Sequence, residues 1–435
     1  MKNSEIKYWY SGIITISLLV LFIIPFSSCE KGDKNNAISS EDSIYYVINE
    51  LMNTWYLWYD EVPEIDIYQF KNPPDLMEAL MYSAIDKWSF VEEKEVIDAI
   101  FQEGETFGFG FQIRFDPSNK LRILYVYENS EAYRQGLRKG FIVQSINGIP
   151  ALLFEDYDEF FDENPATYTF EIIDANDVTH EITLSKSIIQ ENGVFYKNIY
   201  NVSGHSTGYL VYDSFLGYTE DELNEAFAYF KANNISELIV DLRYNQGGYI
   251  SLAEQFANMV APLTAIGHPM YTRVHNDIVG PTYDSTTNFS LEDINLNLGR
   301  IFFLTSQFSA SASELTINVL EPYMDVFLIG SDTYGKPVGM YGWLFHDWYI
   351  YPVTVKLQNA DGFGDFFDGL PVDVSASEGL DKDWGDETDP CLSQAFHYIS
   401  FGSFDTKSIY DLKSASIENN KLGRSLNKSY LIMDR

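Results

Sequence analysis

The residues best suited to chemistry fall in three short runs in the second half of the chain. Ser309-Ala310-Ser311-Ala312-Ser313-Glu314 sets three serines among alanines, just ahead of a helical pattern carrying Leu315, Ile317, Val319 and Leu320. Ser311 with Glu314 three residues later fits a capping box. Capping needs one serine, however, and does not account for the small residues all round it. A nucleophile needs small neighbours so that a substrate backbone can reach it, and it gains from a helix N-terminus that stabilises developing negative charge. A serine at neutral pH still needs a base. No histidine lies in a comparable motif, but Lys336 does, in Gly330-Ser331-Asp332-Thr333-Tyr334-Gly335-Lys336-Pro337-Val338-Gly339. Burial among Tyr334, Val338, Met340, Tyr341 and Trp343 would disfavour the ammonium and make a general base of it. By itself a lone lysine reads as solvated surface. The third run, Arg243-Tyr244-Asn245-Gln246-Gly247-Gly248, ends in two glycines that permit unusual backbone angles. Such a turn leaves N–H groups pointing outward, the raw material of an oxyanion hole, although glycine is common in turns of this kind.

The elements around these runs predict an α/β unit. Tyr209 to Tyr212 is apolar, Tyr218 to Ala232 is an amphipathic helix, and Glu237 to Leu242 is a buried strand leading into the glycine turn and a helix near Ser251. Arg300 to Thr305 is a strand ahead of the serine row, and Val326 to Ile329 is one ahead of the lysine run. Upstream, Ser43 to Tyr59 carries Ile44, Val47, Leu51, Trp55 and Trp58 at helical steps, and Asp75 is the expected cap of a second helix with Leu76, Ala79, Leu80 and Ala84 on one face. Between them lie predicted strands at Phe107–Phe115, Leu121–Tyr127, 139–148 and Thr167–Ile173, with a short helix from Asn129 to Leu137. That order of elements and glycines resembles a PDZ domain, which captures C-terminal peptides by strand addition. The resemblance implies that Phe109, Gly110 and Phe111 form the carboxylate-binding loop.

The chain of 435 residues is 46% apolar and 21% charged, the balance of a globular protein, and is long enough for two or three domains. Lys and Arg total 28 against 64 Asp and Glu, a formal net charge of -36. Such a field repels phosphate and excludes nucleic acid as a partner. Two cysteines, Cys29 and Cys391, exclude a disulfide framework or a cysteine zinc site, and the six histidines show no HExxH spacing, so neither metal nor cofactor is expected. At the start, Lys2 and Lys7 precede an uncharged run from Tyr8 to Ser28, then Cys29 and a polar stretch. This describes a secretory signal. Cys29 after two serines resembles the lipobox of bacterial lipoproteins, which implies an acylated Cys29 as the new N-terminus, with Phe26 where an aliphatic residue is usual. A transmembrane anchor is the alternative, since a span needs roughly 20 residues. Both export the body of the protein.

Taken together, Asp241-Leu242-Arg243-Tyr244-Asn245-Gln246-Gly247-Gly248, the serine row and Thr333-Tyr334-Gly335-Lys336, in that order, resemble the C-terminal processing (tail-specific) serine peptidase family. The resemblance runs from the helical segment to about Ser400. It implies that Ser311 is the nucleophile and Lys336 the general base. The backbone N–H groups of Gly248 and Ala312 would form the oxyanion hole, with Gly247 the alternative one residue earlier. It further implies an α/β fold with a ClpP/crotonase-like catalytic core. The expected organisation is a lipoprotein-type signal peptide over 1–28, a polar tether over 29–41, a helical N-terminal domain over 42–103, a PDZ-like domain over 104–185, a catalytic domain over 186–403 and a tail over 404–435. The chain departs from the family at Phe308 and Pro337, where glycines are usual, and at Pro371-Val372-Asp373, where the family tends to read Pro-Asp. It also has Met340 where a glutamine commonly orients the lysine. Methionine makes no strong hydrogen bond, so Lys336 needs another partner, or activity is low or absent. The implied function is a serine endopeptidase of the cell envelope, lipid-anchored, with the outer membrane the expected location on its periplasmic or surface side. Its partners would be polypeptides with exposed C-termini, and its oligomeric state stays open. One rival is a catalytically inactive relative that binds peptides as an envelope lipoprotein, favoured by Met340 and Phe308. A crotonase-type acyl-CoA enzyme is a second, with which neither export nor a PDZ-like pattern agrees.

Overall fold

The computed structural model describes residues 40–154 and 166–405, and a two-residue strand at Met433–Asp434. The expected signal segment, Cys29, the expected tether up to Ser39 and most of residues 404–435 lie outside the described residues. Among the described residues no helix is long and apolar enough to cross a membrane.

A six-stranded sheet organises the half that carries the serine and lysine runs. Its order is Val194–Val202, His205–Tyr212, Glu237–Asp241, Arg300–Thr305, Asp325–Gly330 and Val374–Ser375. The first pair is antiparallel and the others are parallel. Parallel strands are covered on both faces and so read as unbroken apolar runs. All five residues of Glu237–Asp241 are buried. The two-residue alternation of a strand then sorts neighbours into opposite cores. Leu210, Leu238, Val240, Ile301 and Phe303 pack with Phe227, Phe256 and Leu315 of three helices, Glu220–Ala232, Ile250–Val260 and Ala312–Leu320. Tyr209, Ile239, Phe302, Leu304 and Ile329 pack with Leu392, Ala395 and Ile399 of the closing helix Pro390–Phe401. A second sheet joins Ser285–Asn288, Pro269–Val274, Val353–Asn359, Val338–Tyr341 and Met433–Asp434, in that order.

The N-terminal helices do not close a core of their own. Ile44, Ile48, Met52, Leu76 and Trp88 belong to one cluster with Phe256, Met340 and Val353. The strand Phe90–Glu93 pairs antiparallel with Trp348–Tyr351. The first helix runs Ser40–Thr54 and stops short of the expected Tyr59. Tertiary bonds claim the backbone there: Asn276 Nδ2 donates to the carbonyls of Thr54 and Tyr56, and Leu57 N–H donates to the Val353 carbonyl. The second helix, Pro73–Leu80, is capped by Asn72, which accepts the Asp75 N–H at 2.9 Å. Asp75 therefore sits in the first turn rather than at the cap, and Ala84 lies beyond the helix, because the proline pair occupies the positions that need no N–H partner.

Among the described residues the intervening β unit is a six-stranded antiparallel sheet in the order Phe111–Phe115, Leu121–Val126, Ile142–Ile146, Thr167–Ile173 and Thr179–Ser185, with Ile149–Pro150 paired to the side of Ile142–Ile146, around its own core. The single strand expected over Phe107–Phe115 is broken in two. Gly110 turns the chain at φ +82°, where a Cβ would lie 2.2 Å from Ser130 Cβ. Glu105–Gly108 pairs instead with Ser187–Gln190, so the chain entering the unit is hydrogen-bonded to the chain leaving it.

One buried ion cluster fixes the end of the strand Glu237–Asp241 to the closing helix. Arg243, 1% exposed, donates to both Asp241 oxygens, to Asp389 at 3.0 Å and to the Glu378 carbonyl. Asp389 caps the closing helix through the N–H groups of Cys391 and Leu392. Removing one partner of a buried pair strands the others, at a cost of about 3–5 kcal/mol. Arg243→Leu should therefore lower the unfolding free energy by an amount of that order, read as a lower urea midpoint at unchanged slope. Asp389→Asn, which leaves Asp241 on the guanidinium, should cost less. Equal losses would assign the stability to the helix cap instead.

Candidate active site

The serine row lies between the strand Arg300–Thr305 and the helix Ala312–Leu320, and its three serines do different things. Ser309 Oγ donates to the Leu242 carbonyl at 2.7 Å and accepts the Ser306 N–H, while Ser313 Oγ donates to the Asn245 carbonyl at 3.0 Å. These two bind the row to the neighbouring glycine turn. The Ser311 hydroxyl has no hydrogen-bond partner and is fully buried. Its backbone is at φ +67°, ψ −115°, a conformation that costs a residue with a β-carbon on the order of 1–3 kcal/mol. Glu314 holds it there by accepting the Ser311 N–H at 2.7 Å.

The glycine turn packs directly on this loop. Gly247, at φ +104°, admits no side chain, since a Cβ would sit 2.7 Å from Ser311 Cβ and 2.9 Å from Ala312 N. Gly248, at φ +145°, backs on the Phe215 carbonyl, which a Cβ would approach to 2.2 Å. The Gly247 N–H donates to Asn245 Oδ1 at 2.9 Å. The N–H groups of Gly248 and Ala312 make no hydrogen bond among the described residues. Of the two glycine N–H groups, that of Gly247 is therefore engaged and that of Gly248 is free.

Lys336 enters from the loop ahead of the strand Val338–Tyr341. It is 1% exposed and its Nζ has no hydrogen-bond partner. Burial pulls its pKa down to about 7, partly opposed by the charges of Asp86 and Glu314. The same oxygen of Glu314, Oε2, accepts the backbone N–H of Ser311 and that of Lys336, at 2.7 and 2.8 Å. The other oxygen takes Thr333 Oγ1 and Gly335 N–H. One carboxylate thus brings the serine and lysine runs together and leaves their functional groups unengaged. Met340 is fully buried in the core and offers Lys336 no hydrogen bond. Phe308 lies 5.7 Å below the guanidinium of Arg114, which reaches over from the β unit and pairs with Glu378. His275, the one buried histidine, is held between Asp284 and the Tyr341 hydroxyl, each at 2.9 Å.

Of the residues expected to bind a peptide C-terminus, Phe109 and Phe111 point into the core of the β unit. Phe109 stacks on Tyr168 at 5.2 Å and Phe111 meets Phe170 edge-on at 5.5 Å. The Gly110 carbonyl accepts the Tyr127 N–H. Among the described residues no group of three or more His, Cys, Asp or Glu side chains is placed to hold a metal ion. Asp86 escapes a reading of the sequence. Its only signal, a serine three residues later, looks like any local turn.

Residues 206–357 match the family model described as Peptidase family S41, and residues 43–90 match that of the Peptidase S41 N-terminal domain. A carboxyl-terminal-processing protease from Synechocystis sp. is 25% identical over 238 residues, which is 54% of this chain and 53% of that protein. A probable CtpA-like serine protease from Staphylococcus saprophyticus is 23% identical over 237 residues, 54% of this chain and 46% of its own. The chain thus spans about half the length of these two relatives; a probable CtpA-like serine protease from Staphylococcus aureus aligns over 375 residues, 70% of its length, at 20% identity. A putative S41 protease from Bacteroides fragilis has the same mixed α/β fold, with a TM-score of 0.68 at 22% identity over 86% of this chain and 99% of that one. The serine, glycine and lysine runs thus all lie within residues 206–357, the stretch that matches the Peptidase family S41 model, and the match to the S41 N-terminal domain precedes it.

Proposed function

We propose that this protein is an exported serine endopeptidase that works through Ser311 and Lys336. The observation that carries the reading is the Ser311 hydroxyl: buried, unpartnered, held at a strained φ beside the free N–H of Ala312, and linked through Glu314 to a buried lysine. Neutral Lys336 takes the Ser311 proton as Oγ attacks the scissile carbonyl. The resulting oxyanion receives the N–H groups of Gly248 and Ala312. The lysine ammonium then protonates the leaving amine, and water, deprotonated by the same lysine, hydrolyses the acyl-enzyme. Ser311→Ala and Lys336→Ala should each abolish cleavage of an unstructured protein with folding intact, and the double variant should be no worse than either single one. A base must be neutral to accept a proton, so kcat/KM should fall about tenfold per unit below a limb near pH 7. A flat profile between pH 5 and 8 would remove Lys336 from the mechanism.

The inactive, peptide-binding reading draws on the apolar Met340, where the lysine would have a polar partner, and on Phe308 ahead of the serine row. Labelling of Ser311 by a serine-directed phosphonylating probe separates the two readings, since only a working nucleophile reacts.

The β unit acts as a PDZ-like domain in this proposal and selects exposed C-termini. Both phenylalanines of the Phe109–Phe111 loop are committed to its core, so the backbone N–H groups carry the recognition of the carboxylate. Amidating a substrate's C-terminus should raise KM and leave kcat unchanged. Identical kinetics for free and amidated tails would leave the unit as a spacer.

Cys29 is the proposed site of acylation, anchoring the enzyme in the cell envelope at the outer membrane. Metabolic labelling with a fatty acid should mark the wild type and not Cys29→Ser. Equal labelling of both would return the N-terminus to a plain signal or a membrane span.

A further inference from the structure

On taking the Ser311 proton, Lys336 becomes an ammonium that has no hydrogen-bond partner in a buried site. An unpaired buried cation is costly. Met340 cannot relieve it, and neither buried carboxylate hydrogen-bonds to Nζ, so compensation falls to charge rather than to a hydrogen bond. Besides Glu314, the carboxylate whose charge acts on Lys336 is Asp86, from the segment between the helix Pro73–Leu80 and the strand Phe90–Glu93.

Asp86 is 3% exposed. Its Oδ1 accepts the N–H groups of Trp88 at 2.8 Å and Ser89 at 3.1 Å, and its Oδ2 accepts the hydroxyls of Tyr56 at 2.8 Å and Ser89 at 2.6 Å. Four donors thus converge on its two oxygens and hold the side chain in place. The residues that follow lie against the surroundings of Lys336. Lys87 Nζ sits 4.3 Å over the Tyr334 ring, and the Trp88 ring is 6.2 Å from that of Phe367, whose carbonyl backs Gly335. Ser89 Oγ accepts the N–H of Val353, the residue paired with Met340 across the second sheet.

We propose that Asp86 is a positioning residue for Lys336: the N-terminal domain presents its carboxylate to the ammonium formed in the transition state, a role that no side chain at 340 fills. The inference rests on the Ser311–Lys336 mechanism and makes the N-terminal domain part of the chemistry. The charged and titratable groups around the lysine are Asp86 with Tyr56 behind it, Glu314 from the helix Ala312–Leu320, and Lys87 against Tyr334 on the far side. Both carboxylates raise the lysine's pKa against burial, so removing Asp86's charge lowers it.

The test is the pH dependence of kcat/KM of the full chain for wild type, Asp86→Asn, Asp86→Glu and Tyr56→Phe, with thermal unfolding in parallel. Asp86→Asn should move the acid limb about one pH unit lower and reduce the plateau about tenfold, and Asp86→Glu should restore both. A folded Asp86→Asn with an unmoved limb overturns the proposal, whatever its rate. If Asp86→Asn does not fold, Tyr56→Phe serves, since it removes a donor that offsets the charge while keeping the carboxylate. Its limb should move upward, and a limb that stays put overturns the proposal. Lys336→Ala distinguishes the two levels: near-normal turnover there overturns the dyad and this inference together, whereas an inactive Lys336→Ala beside an unmoved Asp86→Asn limb overturns this inference alone.

Discussion

The buried carboxylate of Glu314 is the interaction on which the site depends. It lies in the first turn of the helix Ala312–Leu320 and accepts four donors, three of them backbone N–H groups. Burial pushes its pKa up and the four hydrogen bonds pull it back. Because it binds main chain, it positions the serine and lysine runs without engaging the Ser311 hydroxyl or the Lys336 amine.

The strain at Ser311 persists because the surroundings over-determine it. Asn245 alone makes four bonds that lock the glycine turn: its Nδ2 donates to the Tyr212 carbonyl, its Oδ1 accepts Gly247 N–H, and its carbonyl accepts Ala310 N–H and Ser313 Oγ. On the other side, Phe215 N–H donates to the Gly247 carbonyl and Tyr249 N–H to that of Phe215. The serine loop, the glycine turn and the Phe215 loop are therefore tied to one another by main-chain and side-chain hydrogen bonds, which fixes the backbone around Ser311.

The N-terminal helices are integrated with this body rather than tethered to it. Their apolar residues share its main core, and the strand Phe90–Glu93 extends one of its sheets. Such continuity means that the segment carrying Asp86 is placed with the precision of the core and not with that of a linker.

Local pattern alone determined much of this protein. Unbroken apolar runs marked the parallel strands, and Thr167–Ile173 and Arg300–Thr305 lie where the alternation and the runs put them, because burial on one face or two writes a period into the chain. The three runs bearing serine, glycine and lysine were equally legible, since small residues at a loop-to-helix junction have few structural uses. Other features belong to residues distant in sequence. The first helix stops at Thr54 because Asn276 and Val353 take its next backbone groups. Gly248, not Gly247, is left with a free N–H because the Asn245 side chain turns back on its own loop. The pairing of Glu314 with a loop 22 residues away, and the approach of Asp86 from far upstream, are decided by packing. A sequence pattern records how often a residue is buried; which buried group it faces is fixed only when the elements pack, and the electrostatics of Lys336 depend on that second fact.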